Sequence, residues 1–172
     1  GYQITESARV LDDFVDELSN WYVRRCRERF WAKGMESDKI NAYMTLYTAL
    51  TEICKCAAPI IPFMAEQIYL NLVKSHDKEA PESIHLCDFP AVHEEMIDKK
   101  LEESMEEALN IVVMGRAARN AANIKNRQPI GTMYVKADHV LDAYFTDIVK
   151  DELNVKEVIF KEDVSDLTSY SF

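Results

Sequence analysis

The stretch LSNWYVRRCRERFW, residues 18–31, decides how this sequence is read. Four of the six positions from 24 to 29 are arginine, and Trp21 and Trp31 stand on either side. The apolar residues leading into it (Leu11, Phe14, Val15, Leu18, Trp21, Tyr22) recur at helical spacing, so the arginines belong to a helix rather than a loop. Thr5 is placed to cap that helix, and Gly34 to end it just after Lys33.

A helix advances about 100° per residue. With Leu11 at zero, Arg25 and Arg29 fall at about 320° and 0°, on the apolar stripe. Arg24, Arg27 and Trp31 fall at about 220°, 160° and 200°, on the opposite face. A buried guanidinium needs a partner, so Arg25 and Arg29 are expected to pair with acids of a neighbouring helix. An outward tryptophan beside Arg24 and Arg27 suits a nucleotide, since arginine pairs with phosphate and indole stacks on a base. The same three residues equally suit a Trp31 packed under a neighbouring segment with the arginines snorkelling past it.

The chain around this stretch is acidic: 172 residues with a formal net charge of -10. That argues against indiscriminate phosphate binding but allows a local basic surface. The charge is segregated. Residues 94–107 hold seven acids against two lysines, whereas 21–33 hold four arginines and Lys33 against Glu28. Residues 115–127 hold Arg116, Arg119, Lys125 and Arg127 with no acid.

With 48% hydrophobic residues and 29% charged, the chain reads as a globular protein with one main domain, or one plus a small appendage. The 4 Gly and 5 Pro leave long stretches unbroken, which favours helix. No apolar run is long enough for a bilayer, and the first residues lack the apolar core of a signal peptide. The expected setting is cytoplasmic, away from membranes.

The remaining elements follow from period and punctuation. Ser37 or Asp38 caps a second helix with Ile40, Tyr43, Met44, Tyr47, Leu50, Cys54, Ala57 and Ala58 on one side. APIIP, residues 58–62, breaks it, and Pro62 opens a third helix to about Val73. A polar loop over 74–83 precedes SIHLCDFP, which reads as a short strand. A long fourth helix covers about 94–123, with Ile97, Leu101, Met105, Ala108, Val112 and Gly115 as its stripe. The small residues of its second half admit either a close backbone or a ligand. Residues 131–137 alternate as a strand. Asp138 caps a helix carrying Val140, Leu141, Tyr144, Ile148 and Val149, and 155–162 form a second strand. The crossover should be right-handed if the strands are parallel. The fold class is mainly α: a helical bundle over 1–128, a small C-terminal β-α-β subdomain over 129–162, and a frayed tail over 163–172.

No phosphate-binding glycine loop, nucleophile elbow or zinc-protease helix occurs. Cys26, Cys54, Cys56 and Cys87 match neither a zinc knuckle nor a disulfide framework, so they read as reduced structural thiols and no metal site is expected. The acids of EEMIDKKLEESMEEA, residues 94–108, read as a solvated helix face. His76, His85, His93 and His139 are scattered and are given no chemistry.

In order, LSNWYVRRCRERFW, APIIPFMAEQIYLNL, ESIHLCDFP, NIKNRQPI and ELNVKEVIF together resemble the C-terminal part of the isoleucyl-tRNA synthetase family, class I aminoacyl-tRNA synthetases. The likeness covers roughly residues 4–162. The first and last motifs set it apart from the related valyl and leucyl enzymes. The resemblance implies a class I helical anticodon-binding domain followed by a small α/β junction. It implies isoleucine tRNA, and the catalytic and editing domains of the same enzyme, as partners. The family's HIGH and KMSKS signatures are absent from this sequence, so the chain alone should be an inactive fragment of an isoleucine–tRNA ligase. ATP and Mg²⁺ belong to the full-length enzyme, and no cofactor is expected in this chain. Cys26 stands where the family often has serine and Glu28 where it often has arginine, which lowers the local charge.

On this basis Arg24, Arg27 and Trp31 are expected to form an outward platform for the anticodon stem and loop. Asn20, a turn earlier, can hydrogen-bond a base, and Lys125, Arg127 and Gln128 form a second basic strip. No catalytic residues are assigned. The alternative is a helical protein-interaction module in which the arginine cluster is structural.

Overall fold

The computed structural model describes residues 3–137 and 140–164. Among these the chain is mainly helical, with a two-stranded parallel sheet near its C-terminal end. It divides into two compact units between Val92 and His93. The long helix falls in the second unit, together with the β-α-β segment.

The first unit opens with α1, Ile4–Glu17. Gln3, not Thr5, is its N-cap, and no side chain caps it. The chain continues through a π-helical turn, Leu18–Val23, into a short α2, Arg27–Trp31. Gly34, at φ 76, supplies the left-handed conformation that ends this run. In α3, Ser37–Ala57, Glu36 is the N-cap and neither Ser37 nor Asp38 makes a capping bond. Cys26 and Phe30 bury against Ala42, with Tyr22 and Leu46 packed around them. The Tyr22 hydroxyl donates to the Ala42 carbonyl at 3.1 Å.

Pro62 sits in the first turn of α4, Pro62–Tyr69, as its missing N–H predicts. A second π-helical turn, Leu70–Lys74, extends it. Cys54, Ala58, Ala65, Tyr69 and Ile84 form a second buried cluster. The segment expected as a strand is instead a 3-10 turn, Ile84–Leu86. The Glu66 carboxylate accepts from the Ser83 hydroxyl and the Ile84 N–H, both at 2.9 Å, and the Ser83 hydroxyl accepts from the His85 N–H. These side chains satisfy donors that a strand would have offered to a neighbour.

In the second unit, α5 is Lys99–Ala121, preceded by a 3-10 turn, Glu94–Met96. Asp98 caps it, accepting from the Leu101 N–H at 3.0 Å. Asn123 ends it at φ 54: the Ile124 N–H reaches the Arg119 carbonyl at 2.8 Å and the Asn123 N–H the Asn120 carbonyl at 3.1 Å. That is a Schellman closure with asparagine in the left-handed position. Strands β1, Ile130–Lys136, and β2, Val155–Lys161, pair in parallel with Ile130 opposite Val155, joined through α6, Ala143–Leu153. The expected Asp138 cap lies outside the described residues, as does the tail from 165 on. Asp142 is the N-cap of α6, and Phe145 takes the core place expected of Tyr144, which like Val140 is exposed. Among the small residues of this helix, Gly115 makes room for α6: a Cβ built on it would lie 2.3 Å from Cδ1 of Leu153.

Candidate nucleic-acid interface

The π turn at Leu18–Val23 changes how the arginine stretch is displayed. A π turn holds one residue more than an α turn, so each position beyond it lags by about 100°. Cys26 and Phe30 then take the places on the wheel, at about 320° and 0°, that regular counting gave to Arg25 and Arg29. The burial agrees: Cys26 and Phe30 are in the core, while Arg25 and Arg29 are half-buried. Arg24, Arg27 and Trp31 move to about 60–120°, and Arg25 and Arg29 to about 220–260°. The two arginine pairs therefore lie on opposite flanks of the buried edge, rather than one inside and one outside.

On the first flank, Trp31 is 79% exposed, and the Arg27 guanidinium lies over its ring, 5.9 Å from the centroid. Arg24 is exposed too, but its guanidinium is drawn to Trp21, 5.7 Å from that ring's centroid, and its Nε donates to the Asn20 carbonyl at 2.8 Å. Asn20 is exposed and its amide donates to the Asp16 carboxylate. Arg25 approaches Trp21 as well, at 5.5 Å, so two cations lie close to this indole. Its Nε1 is buried with no hydrogen-bond partner. Sequence counting had placed Trp21 with the apolar stripe and missed its contacts with the arginines. Its signal was the spacing of three and four residues to Arg24 and Arg25.

On the other flank, Arg29 makes the ion pair expected of it, with Asp38 of α3. Its Nε and one terminal nitrogen donate to the two carboxylate oxygens at 2.8 and 2.7 Å. The pair is not buried: the side chains are 38% and 68% exposed. Asp38's carboxyl is held below the ordinary carboxylate range by its hydrogen bonds from Arg29, and Arg29 is pushed further toward its charged form.

In the second unit, Lys125, Arg127 and Gln128 are exposed side by side in the loop after α5. The other two cations of that basic segment are used internally. Arg116 pairs with Glu152 at 2.6 Å. Arg119 is 4% exposed and donates to the carbonyls of Leu153, Lys125 and Gln128. The stripe Ala108, Val112 and Gly115 continues at helical spacing to Arg119, and that was the overlooked sign that it faces inward.

Among the described residues, no group of three or more His, Cys, Asp or Glu is placed to hold a metal ion, and no helix is long and apolar enough to cross a membrane. Cys26 and Cys54 are buried and Cys56 and Cys87 half-buried, all as free thiols. Burial pushes the Cys54 and Cys56 thiols up, away from the reactive thiolate.

A helical body that leaves an indole and several guanidinium groups uncovered presents the groups used to hold RNA. The chain belongs to the family of the anticodon-binding domain of tRNA ligase, whose model matches residues 1–135. Over 170 residues it is 52% identical to isoleucine–tRNA ligase of Clostridium tetani, covering 99% of this chain and 16% of that protein. It is 54% identical over 169 residues to the enzyme of the same name from Clostridium novyi, with 98% and 16% covered. It is 43% identical over 172 residues to isoleucine–tRNA ligase 2 of Bacillus cereus, again with 98% and 16% covered. The chain thus spans about one sixth of the length of these curated relatives.

Proposed function

We propose that this chain is the anticodon-recognition part of an isoleucine–tRNA ligase, built on the class I helical bundle and acting in the cytoplasm. In this role it holds the anticodon stem and loop of isoleucine tRNA while other parts of the enzyme, the catalytic and editing domains, act elsewhere on the same RNA. The observation that carries the proposal is Trp31, largely exposed with Arg27 over its ring. An aromatic face and a guanidinium on one exposed surface match an unstacked base and its phosphate. Arg24 and Asn20 extend that surface toward the preceding turn. Lys125, Arg127 and Gln128 supply further contacts from the loop after α5. The relatives' names support isoleucine tRNA as the partner. ATP and Mg²⁺ would be handled by parts of such an enzyme carrying the HIGH and KMSKS signatures, and no chemical step involves the residues described here.

The test is titration with isoleucine tRNA and with an anticodon-swapped transcript. The chain should prefer the cognate anticodon. Its log Kd should rise with log salt with a slope of roughly 0.7–0.9 per phosphate contacted. Arg27→Ala and Trp31→Ala should each weaken cognate binding by about tenfold with the melting temperature nearly unchanged, since base stacking and charge-assisted contacts are each worth roughly 1–3 kcal/mol. Equal affinity for both transcripts would remove anticodon reading. Binding to neither at low salt would leave the protein-interaction module standing.

A further inference from the structure

The loop between α5 and β1 offers its side chains outward and its carbonyls inward. Lys125, Asn126, Arg127 and Gln128 are all exposed as residues, yet all four of their carbonyl oxygens are engaged from within the unit. The buried Arg119 donates to the Lys125 and Gln128 carbonyls. The Asn154 amide donates to the Arg127 carbonyl at 3.0 Å and to the Asn126 carbonyl at 3.4 Å. Arg119 also donates to the Leu153 carbonyl at 3.0 Å, at the C-terminal end of α6, where the helix dipole favours a cation. Asn154 sits in the left-handed conformation, φ 50, that closes α6. Arg119, in the helix just before the loop, and Asn154, distant in sequence at the end of α6, thus hold consecutive peptide groups of it.

We propose that Arg119 and Asn154 are positioning residues for RNA binding. They order the loop before the RNA arrives, so that Lys125, Arg127 and Gln128 meet phosphate and sugar without first losing backbone freedom. This rests on the tRNA-binding function proposed above. Ordering a mobile loop on binding opposes association, and a loop already held by its carbonyls avoids that cost. Arg119 suits the task because a planar guanidinium can donate to several carbonyls at once, which an ammonium on a flexible stem does less well.

The deciding variant is Asn154→Gly. Glycine keeps the left-handed backbone that ends α6 and removes the two bonds to the loop. Affinity for an isoleucine tRNA transcript is measured for the wild type, Asn154→Gly, Arg127→Ala and the double variant, with thermal melting alongside. Asn154→Gly is expected to bind about threefold to tenfold more weakly at a nearly unchanged melting temperature, and to add little in the Arg127→Ala background, as coupled residues do. Arg119→Lys should weaken binding in the same direction, with some loss of stability. Wild-type affinity in Asn154→Gly, or full additivity with Arg127→Ala, would overturn the positioning role while leaving RNA binding by the loop intact. If Arg127→Ala and Lys125→Ala both bind as the wild type does, the loop contact itself is wrong and the positioning role falls with it.

Discussion

Arg29 and Asp38 show what a single pair can and cannot contribute. The geometry is two-pronged, which favours the pair, but both side chains are substantially open to water, which screens it. Arg29→Ala should therefore lower the melting temperature by only about 1–3 °C at neutral pH. The sign with pH is fixed by Asp38, whose folded-state pKa lies below its unfolded one. Such a group contributes fully above the ordinary carboxylate range, and its contribution is lost as pH falls through the folded value. Melting curves of wild type and Asp38→Asn should differ at pH 7 and converge in acid; a gap independent of pH would refute the linkage. That Arg29 meets an acid of a neighbouring helix was legible from helical spacing, without which acid it is. Its exposure was not, because regular counting carried Arg29 onto the buried edge that Phe30 occupies.

Elements were most legible where a residue type has one backbone use. Gly34, Pro62 and the two strands lie where composition and pattern put them. The Ser83 segment was misread because Glu66, seventeen residues earlier, takes its donors. The wide turn at Leu18–Val23 has no residue signature at all: Leu, Ser, Asn, Trp, Tyr and Val suit an ordinary helix equally well. The packing of α5 on α6 gives the sharpest test at this scale. Gly115→Ala gains up to about 1 kcal/mol in helix propensity. The added methyl meets Leu153 at 2.3 Å, and overpacking of this kind costs about 1–3 kcal/mol. The clash should win, so the urea midpoint should fall; a rise would mean that Leu153 turns aside freely.

For the molecule as a whole, counts of charge overstate what is on offer. Of the four cations in residues 115–127, Arg116 and Arg119 are committed to partners inside the second unit, leaving Lys125 and Arg127 exposed. In the proposed role a chain of net charge -10 would offer RNA few groups, and the placement of each would matter more than their sum. The carbonyl clamp around residues 125–128 also has a bearing on time. Arg119 ties that segment to the last carbonyl of α6, so the segment cannot open for long while α6 is closed. In hydrogen exchange, the Gln128 amide, bonded to the Lys125 carbonyl, should be protected like the C-terminal amides of α6 and exchange with them in one cooperative opening. In the proposed role, an exposed loop with the lifetime of a packed helix would stay ready for RNA between one encounter and the next.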